Sequence, residues 1–247
     1  LISNAKRRAF LTAEWRYLAM LNYDVDPAIL HALVPKHTEL DLWNGRAIAS
    51  VVGFRFLRTR LLGVPIPLHR NFEEVNLRFY VRHTTPDGEV RRGVVFVREL
   101  VPRLAIALTA RLAYNEPYLA VRMRSTVPAA LTDAPGRISY GWRMGSRWQE
   151  VSATASGAPA LPSPASEETF ITEHFWGYTR QRDGGTVEYE VRHPRWRVWS
   201  AADASLIADV PRLYGSSFAR ALAEQAVSAF IAEGSEVAVY RPRRIGT

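Results

Sequence analysis

Four polar side chains at alternate positions, Glu74, Asn76, Arg78 and Tyr80, form the densest set of potentially reactive groups in this sequence. Between them stand Val75, Leu77, Phe79 and Val81, so a period of two puts the polar four on one face of a strand and the apolar four on the other. On an open sheet the polar face is simply solvated. On a closed or strongly curved sheet it points into a cavity, where a carboxylate, an amide, a guanidinium and a phenol make a polar floor for a small ligand. A carboxylate enclosed in that way has a raised pKa and can serve as general acid or base. Periodicity alone does not choose between the two.

Other chemistries lack their markers. No G-x-G-x-x-G follows a strand-like run, and neither G-x-x-x-x-G-K-[ST] nor G-x-S-x-G occurs, so dinucleotide, P-loop and α/β-hydrolase readings have no support. The absence of cysteine excludes thiol catalysis and Cys-ligated zinc, and it fits a reducing compartment. The six histidines (His31, His37, His69, His83, His174, His193) show no metal-ligand spacing, and each reads more simply as a surface or structural imidazole. No metal and no cofactor are expected.

Composition sets the outer bounds. With 247 residues, 47% hydrophobic and 23% charged, the chain excludes disorder, collagen and a disulfide scaffold. The longest apolar run, Ala47–Phe54, is interrupted by Ser50 and Gly53 and is far short of the ~20 residues of a membrane helix. Lys6, Arg7 and Arg8 have no apolar signal core behind them, so a soluble, cytoplasmic protein is expected. The net charge of +8 suggests nucleic acid at first sight, but 30 of the 32 basic residues are arginine and they are scattered. A phosphate-binding surface normally mixes in lysine, so the skew reads as codon bias in an Ala-rich sequence and argues against a nucleic-acid partner.

The elements that must position the polar stripe are mostly strands. Glu74–Arg82, the turn Thr84-Thr85-Pro86-Asp87-Gly88 and a strand from Val90 through Val97 form a hairpin. Further strands are expected at Trp15–Tyr23, Leu40–Trp43, Arg46–Leu57, Ile106–Tyr114, Tyr118–Arg124, Arg137–Met144, Phe170–Arg180 and Thr186–Trp199. Such short spacing predicts a mainly antiparallel, curved or barrel-like β domain spanning 1–247. Asp26 caps a short N-terminal helix that begins at Pro27 and stops at Pro35. Phe218, Ala221, Leu222, Ala226, Ala229 and Phe230 share a helical stripe, predicting a C-terminal helix capped by Ser216 or Ser217 and ended by Gly234. A last strand, Glu236–Tyr240, follows it. The Ala/Ser/Pro-rich stretch Ser152–Ser166 is compatible with a linker or a loop, and a loop within one domain is the expectation.

An ordered set of segments resembles the YqjF-like (DUF2071) family. They are Trp15–Leu18, Tyr23–Pro27 and Leu33–Pro35; then Asn71–Val81, Gly93–Phe96, Ala110-Arg111 and Pro117-Tyr118; then Glu173–Phe175, His193–Trp196 and the closing Val237–Ile245. At Glu173-His174-Phe175 the family more often has Glu-Arg-Tyr. That family in turn looks like a distant relative of the acetoacetate decarboxylases. The resemblance implies a β-barrel-like sheet around a ligand pocket, which favours the enclosed reading of the Glu74 face. It also implies Arg16 as a carboxylate clamp, Glu74 as acid or base, Tyr118 as a phenolic donor and Arg111 as a further substrate contact, while Asn76 and Arg78, on the same strand face as Glu74, are expected to line the same wall as substrate contacts.

The decarboxylase reaction itself is not implied. It needs a lysine whose neutral amine forms a Schiff base, and here that position is Tyr118. The only lysines, Lys6 and Lys36, lie elsewhere. The expected function is binding of a small, anionic carbonyl or carboxylate compound, with any catalysis by acid–base chemistry and no covalent amine. The alternative is a non-catalytic ligand-binding or protein-interaction module with a vestigial pocket. No membrane partner is expected, and relatives that assemble make the chain compatible with a homo-oligomer.

Overall fold

The computed structural model describes residues 8–66, 70–102, 115, 117–130 and 132–246. Lys6, His69, Arg111 and the expected strand Ile106–Tyr114 lie outside the described residues.

The chain is mainly β. Its strands are β1 (Leu11–Asp24), β2 (Glu39–Leu40), β3 (Ile48–Leu61), β4 (Val64–Pro65), β5 (Phe72–Thr84), β6 (Val90–Val101), β7 (Tyr118–Ala120) and β8 (Met123–Thr126). They continue as β9 (Arg137–Met144), β10 (Arg147–Ala160), β11 (Trp176–Arg180), β12 (Thr186–Arg192), β13 (Val198–Ile207), β14 (Ser228–Val239) and β15 (Arg243–Ile245). Helices α1 (Pro27–His31), α2 (Glu167–Thr172), α3 (Val210–Tyr214) and α4 (Ala219–Ala223) are short. The Asp26 side chain accepts the Ala28 N–H at 2.8 Å, and Pro27 opens α1, where its missing N–H is of no consequence.

The strands form one sheet in the order β15-β12-β11-β6-β5-β3-β1-β14-β13-β10-β9-β8. β12 also pairs with β14, through Val191–Val239 and Arg192–Ala238. The path from β14 through β1, β3, β5, β6, β11 and β12 therefore returns to its starting strand. Most pairings are antiparallel, but β6 meets both β11 and β7 in parallel.

The β5–β6 hairpin forms around the expected turn, with Gly88 at φ 84° donating its N–H to Thr85 O at 2.9 Å. Along β5 the period of two separates two interiors. Val75, Leu77, Phe79 and Val81 enter a core with Tyr140, Trp142 and Trp199. The opposite face is buried too, against a second cluster that includes Phe54, Phe56, Phe72 and Phe230.

Several expectations are corrected. Residues 218–230 are not one helix: α4 ends at Ala223, and β14 begins at Ser228 and runs through Gly234 to Val239, absorbing the separate last strand. From Ala229 to Ala232 its side chains alternate between the two cores, and pairing with β1 along its length outweighs the weak helical stripe. The small residues of Ser152–Ala160 belong to β10, paired with β9 and β13, and only residues 161–166 form the connection. Phe170 to Thr172 lie in α2, whose N-cap Ser166 accepts from Thr169 N at 3.3 Å, so only the second half of Phe170–Arg180 is strand. Tyr118–Arg124 breaks into β7 and β8, and Thr186–Trp199 breaks before Pro194.

Candidate functional site

The inward polar face of β5 opens onto a cavity of 270 Å³. Glu74, Asn76 and Arg78 line it from β5, Glu99 from β6 and Tyr118 from β7. The register explains their convergence, because Asn76 stands opposite Glu99, and Glu99 stands opposite Tyr118.

Glu74 is 3% exposed, Asn76 1% and Glu99 2%. Asn76 Nδ2 donates to Glu74 Oε1 at 2.9 Å, and the Tyr118 hydroxyl lies 3.5 Å from Glu74 Oε2. Glu99, opposite Tyr118 in the β6–β7 pairing, adds a second carboxyl group beside the phenol. Burial pushes the Glu74 carboxyl up to about 7, against the lowering effects of the Asn76 and Tyr118 hydrogen bonds and the Arg78 charge. Burial, with the charges of Glu74 and Glu99 beside it, holds the Tyr118 phenol well above its ordinary range, so it remains a neutral donor. Arg78 makes no ion pair among the described residues, and its Nε and the Asn76 Oδ1 are buried without hydrogen-bond partners. Unpaired buried polar atoms are uncommon in native proteins, and here they flank one carboxylate.

The rest of the wall is largely apolar, with Trp15, Phe54, Phe56, Phe72, Phe96 and Trp196. His174 and His193 also reach it. His174 Nε2 is 3.0 Å from Asp41 Oδ2, which also accepts from Arg92 Nε at 2.6 Å, and burial lowers the imidazole pKa to about 4. His193 stacks on Trp196 with ring centroids 4.0 Å apart.

The structure brings together Glu74, Asn76, Arg78 and Tyr118, but not Arg16. Arg16 Nε pairs with Glu14 Oε2 at 3.2 Å and its Nη1 donates to Gly234 O at 2.9 Å. Its place on β1 is the cause: Trp15 lines the cavity, and the adjacent residue projects to the other side. A bulge between Arg16 and Ala19, with Tyr17 at φ 54°, then restores Leu18 to the cavity face. Tyr80 also turns away from the cavity wall, with its hydroxyl 2.7 Å from Ser50 Oγ.

Sequence reasoning missed Glu99. The pairing of β5 with β6 shifts register between Arg98 and Phe96, so Val94, Phe96 and Glu99 share the cavity face where strict alternation predicts Arg98. Arg98 instead donates from Nε to Leu213 O at 3.2 Å.

Among solved structures, the chain is similar to acetoacetate decarboxylase from Legionella pneumophila, with a TM-score of 0.65, 12% identity, and coverage of 100% of this chain and 93% of that one. It is also similar to the enduracididine biosynthesis enzyme MppR, solved with pyruvate, with a TM-score of 0.67, 14% identity, and coverage of 99% and 93%. The chain therefore has the acetoacetate decarboxylase-like fold. The family model of DUF2071, described as "Uncharacterized conserved protein", matches residues 12–236, and the chain belongs to that family. The YqjF protein of Bacillus subtilis (strain 168) is 31% identical over 189 residues, covering 76% of this chain and 74% of that protein. No helix among the described residues is long and apolar enough to cross a membrane.

Proposed function

We propose that the strand path closed by β12 and β14 acts as a barrel-like enclosure that binds a small anionic carbonyl or carboxylate compound, and that Glu74 transfers a proton to or from it. The observation that carries this reading is Glu74 itself, a buried carboxyl raised to about 7 on the wall of a cavity. A pKa near neutrality suits a group that must both take and return a proton. Arg78, without an ion pair among the described residues, supplies the charge that a ligand carboxylate requires. Tyr118 donates toward an oxygen on which negative charge develops.

The reaction class that fits is exchange of a proton at the carbon next to a carbonyl. The Glu74 carboxylate takes the proton, the electron pair of the broken C–H bond moves into an enolate, and the same carboxyl returns a proton to carbon. No imine is involved. Tyr118 is a phenol, and Lys36 is exposed and is not among the residues lining the cavity.

Proton NMR of 2-oxo acids in D2O tests the reading. Loss of the α-proton signal faster with the wild-type protein than with buffer, and at the buffer rate with Glu74→Gln, is expected. Equal rates for the wild type, Glu74→Gln and buffer with every acid tried would contradict it.

A further inference from the structure

The polar residues occupy only one end of the cavity. On β5 and β3, Glu74 stands opposite Phe54, and two residues further along Phe72 stands opposite Phe56. Phe56 in turn faces Trp15 on β1. Four rings meet there: Phe56 stacks on Phe72 at 4.6 Å between centroids, Trp15 meets Phe54 at 5.4 Å and Phe56 at 5.8 Å, and Phe54 lies 5.2 Å from Phe56. From Asn76 to Phe72 is about 13 Å of strand at ~3.3 Å per residue, which greatly exceeds the length of a three-carbon acid.

This aromatic end is not a sealed hydrocarbon core. Trp15 Nε1 and Thr59 Oγ1 are buried there without hydrogen-bond partners, and both residues line the cavity. Unpaired polar atoms thus occur at both ends of a single 270 Å³ space, with rings between them. A short polar ligand would leave the aromatic end without contacts, and a purely apolar one would leave Arg78 and Asn76 unmatched.

We infer that the ligand is elongated and two-ended: an acid or carbonyl head at Arg78, Asn76 and Glu74, joined to a flat aryl tail that lies among Trp15, Phe54, Phe56 and Phe72. The head assignment rests on the reading under Proposed function; the tail assignment rests on the rings. Phe56 and Trp15 select the ligand by its ring, and Arg78 selects it by its charge.

Calorimetric titration with three probes separates the two assignments: pyruvate as head alone, benzyl alcohol as ring alone, and phenylpyruvate as both. Phenylpyruvate is expected to bind about tenfold or more tighter than pyruvate, from burial of the phenyl ring. Phe56→Leu, or Trp15→Leu should the first variant unfold, should remove most of that advantage, bringing phenylpyruvate affinity down to near that of pyruvate for the same variant. Equal affinity for the two acids, or an advantage that survives both variants, would overturn the inference. Arg78→Gln reports on the head alone. If it leaves the acids unaffected while benzyl alcohol binding still falls with Phe56→Leu, the head reading fails and the aryl site stands.

Discussion

The phenolic hydroxyl of Tyr118 donates to Oε2 of Glu74 at 3.5 Å, and Glu99 stands opposite Tyr118 in the parallel β6–β7 pairing. A single donor thus stands between two buried carboxyl groups. It stabilises the ionised form of Glu74 only partly, because burial dominates and keeps that carboxyl near 7. This balance makes Glu74 exchangeable with a proton at neutral pH, and it depends on the phenol.

Tyr118→Phe removes the donor and leaves the ring. The Glu74 pKa is expected to rise above about 7, since the hydrogen bond that lowers it is lost. Carboxyl carbon NMR with labelled glutamate, read across a pH titration and assigned with Glu74→Gln, measures this directly. An unchanged or lower value would show that Tyr118 does not act on Glu74.

Glu74 also shapes stability against pH. Its folded pKa lies above the ordinary 4.5, so the folded state holds this proton more tightly than the unfolded state between pH 4.5 and about 7. Its contribution is favourable below that window and is lost as pH rises through it. Glu74→Gln removes the titration and keeps an acceptor for Asn76. The variant is expected to gain stability relative to wild type between pH 5 and pH 8, on the order of 1–3 kcal/mol. Denaturant melts at the two pH values check this, and a parallel fall of both proteins would refute it.

How much of this was legible in the sequence follows from where the period of two stays unbroken. On β5 it runs without a bulge, and Glu74, Asn76 and Arg78 reach the cavity face together. Where a bulge intervenes the pattern misleads, as with Glu99 beyond the shift in β6. Family resemblance puts Arg16 in the pocket, yet the strand's own alternation puts Trp15 on the cavity side and Arg16 against Glu14. The stripe ending in Ala229 and Phe230 suited a helix locally and became a strand because β1 offered a long antiparallel partner. His174 and His193 carried no spacing signal, since α2 and the chain around Pro194 bring them to the cavity from distant segments.

Gly234 fixes the β1–β14 geometry that turns Trp15 inward. It has φ 79°, it pairs with Arg16, and a Cβ there would lie 2.0 Å from the Trp15 carbonyl oxygen. Gly234→Ala combines backbone strain with a main-chain clash and is expected to destabilise the protein by about 3 kcal/mol or more. Gly88→Ala, at a turn where nothing lies near the added carbon, is the control and should show only the smaller cost of its positive φ. Chemical denaturation of the two variants would contradict the assignment if they were equally stable.

The measurement that tests the central claim most directly is a thermal-shift panel of 2-oxo acids, hydroxy acids and simple carboxylates on wild type, Arg78→Gln and Arg16→Ala. A ligand present at about 100 times its Kd adds roughly 2.7 kcal/mol to the folded state. The account predicts that at least one acid raises the wild-type Tm, that Arg78→Gln loses the shift, and that Arg16→Ala keeps it despite a lower starting Tm. A shift that survives Arg78→Gln and disappears in Arg16→Ala would contradict it, as would no shift with any acid in the well-folded wild type.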